Sequence, residues 1–162
     1  MILVADYDPA WPRTFAMLRD RAWPLVAPFA DSIEHVGSTS VPGLAAKPII
    51  DMDVVAPSRD AVMSAIQALE TIGYRHVGDL DIPGREALRH PEGDPRHHLY
   101  VGARDAAPIV EHLCFRDYLR ANPIKAAEYA ALKRQLATQF DDVEDYALAK
   151  TDFVRACLAA AR

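Results

Sequence analysis

Only two cysteines, Cys114 and Cys157, occur in 162 residues. Neither stands at metal-ligand spacing, and a lone disulfide is a poor expectation for a chain of this size. Both are read as reduced packing residues of a cytoplasmic protein, inside apolar helix-like segments. No apolar run approaches the ~18 residues that suggest a membrane span. No basic stretch followed by an apolar one opens the chain as a secretory leader would. Positive charge is also scarce: 18 Lys and Arg against 23 Asp and Glu give a net charge of −5 and a pI near 5.6. This argues against generic electrostatic binding to nucleic acid, while leaving room for a local basic pocket. Repeats and low-complexity segments are absent, and the 12 prolines are scattered rather than gathered in a linker.

The remainder is ordinary globular material, 51% apolar and 25% charged, enough for one domain with a substantial core. Asp8-Pro9 reads as a helix start, with Asp as N-cap and Pro at the first helical position. Trp11, Phe15, Leu18, Ala22 and Leu25 follow on one helical face, and Pro24 and Pro28 are expected to end or kink it. Ile33–Gly37 is expected as a short strand and Ile49–Val55 as a buried central one. Pro57-Ser58 opens a helix that stops at Gly73, with Val62, Ala65, Ile66, Leu69 and Ile72 on its apolar side. Strands at 74–77 and 97–102 flank a polar stretch, part of which is expected to form a hairpin. From Ala107 three helical periods follow: Val110, Leu113, Cys114, Tyr118; then Ile124, Leu132, Leu136, Phe140; then Tyr146, Ala149, Phe153, Cys157, Ala160. The expected fold class is α/β (α+β): a mixed β-sheet core with an N-terminal helix over 1–105, and a C-terminal helical segment over 106–162 packed on it.

Within this frame the stretch His35–Val55 stands out. A small-residue turn, Gly37-Ser38-Thr39-Ser40, follows a short apolar run, and twelve residues after Ser38 come Asp51 and Asp53 between apolar neighbours. Burying a carboxylate without a partner is costly and strand interiors disfavour Asp, so two of them need a reason. On a strand, residues i and i+2 share a face roughly 6.5–7 Å apart, where one divalent ion would neutralise both. Mg²⁺ or Mn²⁺ suits carboxylate oxygens and leaves positions for phosphate. The Gly-Ser turn offers backbone N–H groups, a hydroxyl and close approach to a phosphate tail.

The order hydrophobic-Gly37-Ser38, then Asp51-x-Asp53, resembles the signature of the polymerase-β-like nucleotidyltransferase fold. The run Glu34–Asp53 is more specifically similar to the GrpB family. So are Tyr7-Asp8-Pro9-x-Trp11, Ile82-Pro83-Gly84-Arg85, His97-His98-Leu99-Tyr100-Val101, Leu113–Pro123 and Tyr129–Ala137. The resemblance covers nearly the whole chain. It implies a nucleotidyltransferase-like fold, and the fusion of some members to dephospho-CoA kinase points toward nucleotide chemistry. Active members of the wider superfamily place a third carboxylate on a later strand. The matching strand here has none, and with Leu99 and Val101 inward, His98 and Tyr100 face the site.

The leading expectation is therefore a transferase. Asp51 and Asp53 would hold Mg²⁺ or Mn²⁺, and His98 would take the place of the third acid as metal ligand or base. Gly37, Ser38 and Ser40 would hold the phosphates of a nucleoside triphosphate, and Lys47, Arg85, Arg116 and Lys133 would meet the phosphate tail or the acceptor. Each has a plainer reading. The aspartates would be strand-end caps, Ser38, Thr39 and Ser40 turn formers, the cations a solvated face worth little, and His35, His97 and His98 packing residues. Trp11, Phe15, Phe115, Tyr118 and Phe153 are expected in the core, and His76, His90 and His112 receive no role. A small-molecule or protein acceptor fits the acidic balance better than DNA or RNA. A nucleotide- or phosphometabolite-binding module without turnover, and a different ATP-using reaction on the same fold, are the alternatives.

Overall fold

A computed structural model describes residues 1–162. Helix α1 (Trp11–Val26) leads into strand β1 (Ser32–Val36), a 3-10 turn at Ser38–Ser40, and strand β2 (Ile50–Ala56). Helix α2 (Arg59–Glu70) follows, then strands β3 (Arg75–Gly78), β4 (Glu86–Arg89) and β5 (His97–Ala103). Four helices complete the chain: α3 (Ala107–Ala121), α4 (Pro123–Gln139), α5 (Val143–Ala149) and α6 (Thr151–Ala160). The strands form one mixed sheet in the order β1-β2-β5-β4-β3, in which β2 and β5 run parallel and every other pair antiparallel.

The two-residue period of the strands divides this sheet into an apolar and a polar face. Ile50, Met52, Val54 and Ala56 of β2 join Leu99 and Val101 of β5 in the main core, against α1 and α2. Met52, Val54 and Val101 are fully buried, each contributing about 1.5–3 kcal/mol relative to an exposed side chain. Asp51, Asp53, His98 and Tyr100, one residue out of phase, project from the opposite face, toward α3.

Several expectations need correction. Asp8 does not cap α1 directly; its Oδ1 accepts from Ala10 N at 2.8 Å, and the helix starts at Trp11 with Pro12 in its first turn. Nor does Pro24 end the helix, which continues to Val26. Pro24 is exposed, whereas Leu18, Ala22 and Val26 beneath it are fully buried, and that apolar stripe offsets the helix-breaking tendency of an interior proline. The polar stretch after β3 does contain a strand, β4, paired antiparallel with β3 across a register shift between His76 and Gly78. The last helical period is broken at Lys150 into α5 and α6, with Asp142 capping α5 through Glu144 N and Asp145 N.

Helix α3 turns a different face inward from the expected one. Val110 is exposed, and the buried positions are Pro108, Ile109 and Leu119. Near the start of the chain Ala5 and Ala46 form an isolated antiparallel bridge, exchanging two hydrogen bonds of 2.9 Å. Cys114 and Cys157 are both free thiols. No helix is long and apolar enough to cross a membrane.

Candidate functional site

Strand register sets the site in two rows across the polar face. Asp51 of β2 lies opposite Val36 of β1 and His98 of β5, and His98 lies opposite Arg89 of β4. In the next row Asp53 lies between Glu34 and Tyr100. Asp51 and Asp53 thus share a face, but their surroundings differ. The Asp51 carboxylate is partly exposed, and its Oδ1 accepts from Nδ1–H of His98 at 2.9 Å. That bond holds the proton on Nδ1 and leaves Nε2 of neutral His98 with a free lone pair. The Asp53 side chain is fully buried; its Oδ2 accepts from Nδ1 of His112 at 2.8 Å, while Oδ1 has no partner. Burial pushes the Asp53 carboxyl above the usual carboxylate range, and the His112 bond opposes that shift.

The turn before β2 is shaped around Asp51. Gly37 has φ +72°, and a Cβ there would lie 2.3 Å from Oδ2 of Asp51. Glycine therefore satisfies both a left-handed backbone and a close approach. The following residues mostly hold the turn together. Ser40 Oγ donates to Gly37 O at 2.5 Å, and Ser40 O accepts from Arg120 Nε at 2.9 Å. Thr39 Oγ1 bonds His35 Nε2 at 2.9 Å. His35 faces the other side of the sheet, stacked on Phe15 at 4.7 Å, and burial lowers its pKa to about 4.

Beside Asp51 opens a cavity of about 320 Å³ lined by Ser38, Lys47, Asp51, His98, Tyr100, Lys133, Tyr146 and Lys150, among others. Three lysines meet there, and none is in an ion pair with an acid. The Lys133 Nζ, only 2% exposed as a residue, donates to Ala45 O at 2.5 Å and sits 4.6 Å from the Tyr129 ring centre. Lys47 and Lys150 flank the Tyr146 ring at 5.4 and 4.4 Å. Burial lowers Lys133 to about 7 and Lys150 to about 8, with neighbouring cations pushing the same way. Asp51 is the one carboxylate lining this cavity against the three lysines.

The sequence-derived candidates divide accordingly. Gly37, Ser38, Lys47, Asp51, His98 and Lys133 come together around this cavity, with Asp53 one row deeper. Ser40 lies outside it, in the turn's own bonds. Arg116 also lies outside: Nη1 donates to Glu34 Oε2 at 2.9 Å and to His35 O at 3.1 Å, and Nε to Asp117 at 2.9 Å. Arg85 stacks on Tyr100, 4.2 Å from ring centre to Cζ, with Nε buried and unbonded. His97 is buried between Tyr74 Oη, at 2.7 Å, and Pro95 O, at 2.6 Å.

His112, Tyr146 and Lys150 were not among the candidates. A signal for His112 exists in the spacing Ile109, His112, Arg116, Leu119. Steps of three and four put these on one stripe of α3, so the two polar members reach Asp53 and Glu34. Lys150 gives no such signal, because it sits at the junction of α5 and α6.

The fit for a divalent ion rests on Asp53 Oδ1, a buried carboxylate oxygen without a hydrogen bond, on the same face as Asp51. Hard oxygen donors of this kind match Mg²⁺ or Mn²⁺. No group of three or more His, Cys, Asp or Glu side chains converges as a complete ligand set.

Comparison with known proteins follows this geometry. Cid1 poly(U) polymerase, solved with MgGTP bound, superimposes with a TM-score of 0.57 at 15% identity, over 83% of this chain and 44% of Cid1. That likeness establishes a nucleotidyltransferase-like fold. The crystal structure of the conserved protein GrpB from Enterococcus faecalis matches far more fully, with a TM-score of 0.86 and 36% identity over 98% of this chain and 96% of that one. Among curated sequences, the UPF0157 protein YqkA of Bacillus subtilis is 37% identical over 92% of this chain, which spans 44% of YqkA's length. A UPF0157 protein of Streptomyces coelicolor is 41% identical, over 94% of this chain and 80% of its own. A dephospho-CoA kinase of Mycolicibacterium paratuberculosis is 28% identical over 91% of this chain and 43% of its own. The family model described as GrpB protein matches residues 1–160, and the chain belongs to the GrpB family.

Proposed function

We propose that this protein is a Mg²⁺-dependent transferase that binds a nucleoside triphosphate and moves its nucleoside monophosphate to a small acceptor. The observation that carries this reading is the meeting of three unpaired lysines and the Gly37-Ser38 turn with Asp51 in one cavity. Asp51 and Asp53 would hold the ion, Mg²⁺ or Mn²⁺, which when bound neutralises phosphate charge and polarises the α-phosphate. Ser38 and the backbone after Gly37 take phosphate oxygens, while Lys47, Lys133 and Lys150 stabilise the β- and γ-phosphates. His98, oriented by Asp51, takes the proton of an acceptor hydroxyl or amine on Nε2. The acceptor atom bonds to the α-phosphorus, the α–β anhydride bond breaks, and pyrophosphate leaves among the lysines.

A second reading, a nucleotide-binding module without turnover, is favoured by β5 presenting His98 and Tyr100 rather than a third carboxylate. Calorimetric titration with ATP, GTP, CTP and UTP, with and without Mg²⁺, tests the shared part. Binding of at least one that weakens in Asp51→Asn supports it; no binding by any of the four overturns it. Pyrophosphate release in the presence of an acceptor panel then separates enzyme from module.

A further inference from the structure

A second cavity, of about 450 Å³, lies over strands β4 and β5 and shares Ile49, His98 and Tyr100 with the lysine cavity. Its volume is in the range of small-molecule sites. The lining is largely apolar, through residues such as Ile49, Leu80 and Ala87, and includes the guanidinium-bearing Arg89 and Arg96 but no Asp or Glu. Neither arginine takes part in a side-chain hydrogen bond or ion pair. Arg89 is the direct cross-strand partner of His98 on the same sheet face. The imidazole that bonds Asp51 therefore stands between a lysine-lined cavity and an arginine-bearing one.

We propose that this second cavity is the acceptor site, and that it selects a small acceptor carrying a carboxylate or phosphate group, held by Arg89 and Arg96. The inference rests on the transferase reading of the neighbouring cavity. Guanidinium forks match carboxylate and phosphate oxygens in pairs, and an apolar wall takes the body of the molecule. With the anion anchored at Arg89, the acceptor's nucleophile lies where the two cavities meet at His98 and Tyr100, beside both the base and the nucleotide. Charge then works in the same direction on both sides: anionic phosphates meet lysines, an anionic acceptor meets arginines, and His98 lies between them.

The test uses benzoate and phenyl phosphate as probes, with benzyl alcohol and benzylamine as neutral and cationic counterparts. They are titrated into the intact ¹⁵N-labelled protein while backbone amides are followed. Both anions are expected to shift amides of β4 and β5 saturably, and the counterparts to leave them in place. Arg89→Ala with Arg96→Ala is expected to weaken anion binding about tenfold or more, while Lys150→Met leaves it within about twofold. Mg²⁺-ATP titrations of the same variants are expected to show the reverse pattern. Equal binding of the neutral or cationic probes, no saturable shift with either anion, or dependence on Lys150 rather than the arginines overturns the proposal. Failure of wild-type protein to bind any nucleotide overturns the transferase reading instead, and is scored separately from the benzoate arms.

Discussion

A Cβ at Gly37 would lie 2.3 Å from Oδ2 of Asp51, so the backbone of this turn fixes where the carboxylate can stand. Gly37→Ala is expected to displace Asp51 and remove Mg²⁺-nucleotide binding. Gly43→Ala is the matched control: its φ is +82°, yet nothing lies within 4 Å of the added carbon. That change should cost about 1 kcal/mol of backbone strain, a fall of about 2–4 °C in Tm, with nucleotide affinity retained. Calorimetric binding alongside thermal melts separates the two outcomes, and equal loss of binding in both variants would refute the special role of Gly37.

The buried lysines link binding to protons. Lys133 and Lys150 have pKa values lowered to about 7 and about 8, so near pH 8 a sizeable share of each is neutral. A polyphosphate restores the charged forms. Nucleotide binding at pH 8 is therefore expected to take up protons, read as a buffer-dependent heat, and affinity is expected to fall as pH rises from 7 to 9.

Folding carries its own dependence. The folded chain releases the Lys133 proton at about 7 against an ordinary 10.5, so between those values the unfolded chain binds more protons and stability rises with pH. Lys133→Met should flatten this rise in urea denaturation series. An unchanged slope would contradict it.

His98 and Asp51 should differ as targets. His98→Gln keeps a side chain that can hydrogen-bond Asp51 but loses the basic nitrogen. Turnover is expected to drop about 10²–10⁴-fold, with nucleotide affinity within about twofold. Asp51→Asn should lose both. A His98→Gln variant with full turnover would remove the base from that position.

For Asp53 the decisive neighbour is His112. His112→Ala leaves a buried carboxylate without its one hydrogen bond, a loss of about 1–3 kcal/mol in stability. Because that bond opposes the effect of burial, its removal raises the Asp53 pKa further. Mg²⁺ binding, followed by calorimetry, should then require a higher pH than in the wild-type protein.

The sheet and the paired aspartates were legible because period-two alternation dominates β2 and β5, where an apolar core face and a polar face leave one register possible. Helix α1 was legible except at its ends: it begins at Trp11, two residues beyond Pro9, and the buried stripe Leu18, Ala22, Val26 overrides the stop signal of Pro24. The grouping of side chains around the candidate site was legible where it is local in sequence, from Gly37 to Asp53. It was illegible where long-range packing completes it: His112 reaches Asp53 across 59 positions, and Lys150 comes from a helix junction that hydrophobic period alone merges into one helix.

The bridge between Ala5 and Ala46 makes the loop that carries Lys47 dependent on residue 5. Lys47 follows Ala46 directly, and two backbone hydrogen bonds of 2.9 Å tie that loop to residue 5. Breaking that pairing is expected to loosen the loop that carries Lys47, although Ala5 does not line the lysine cavity.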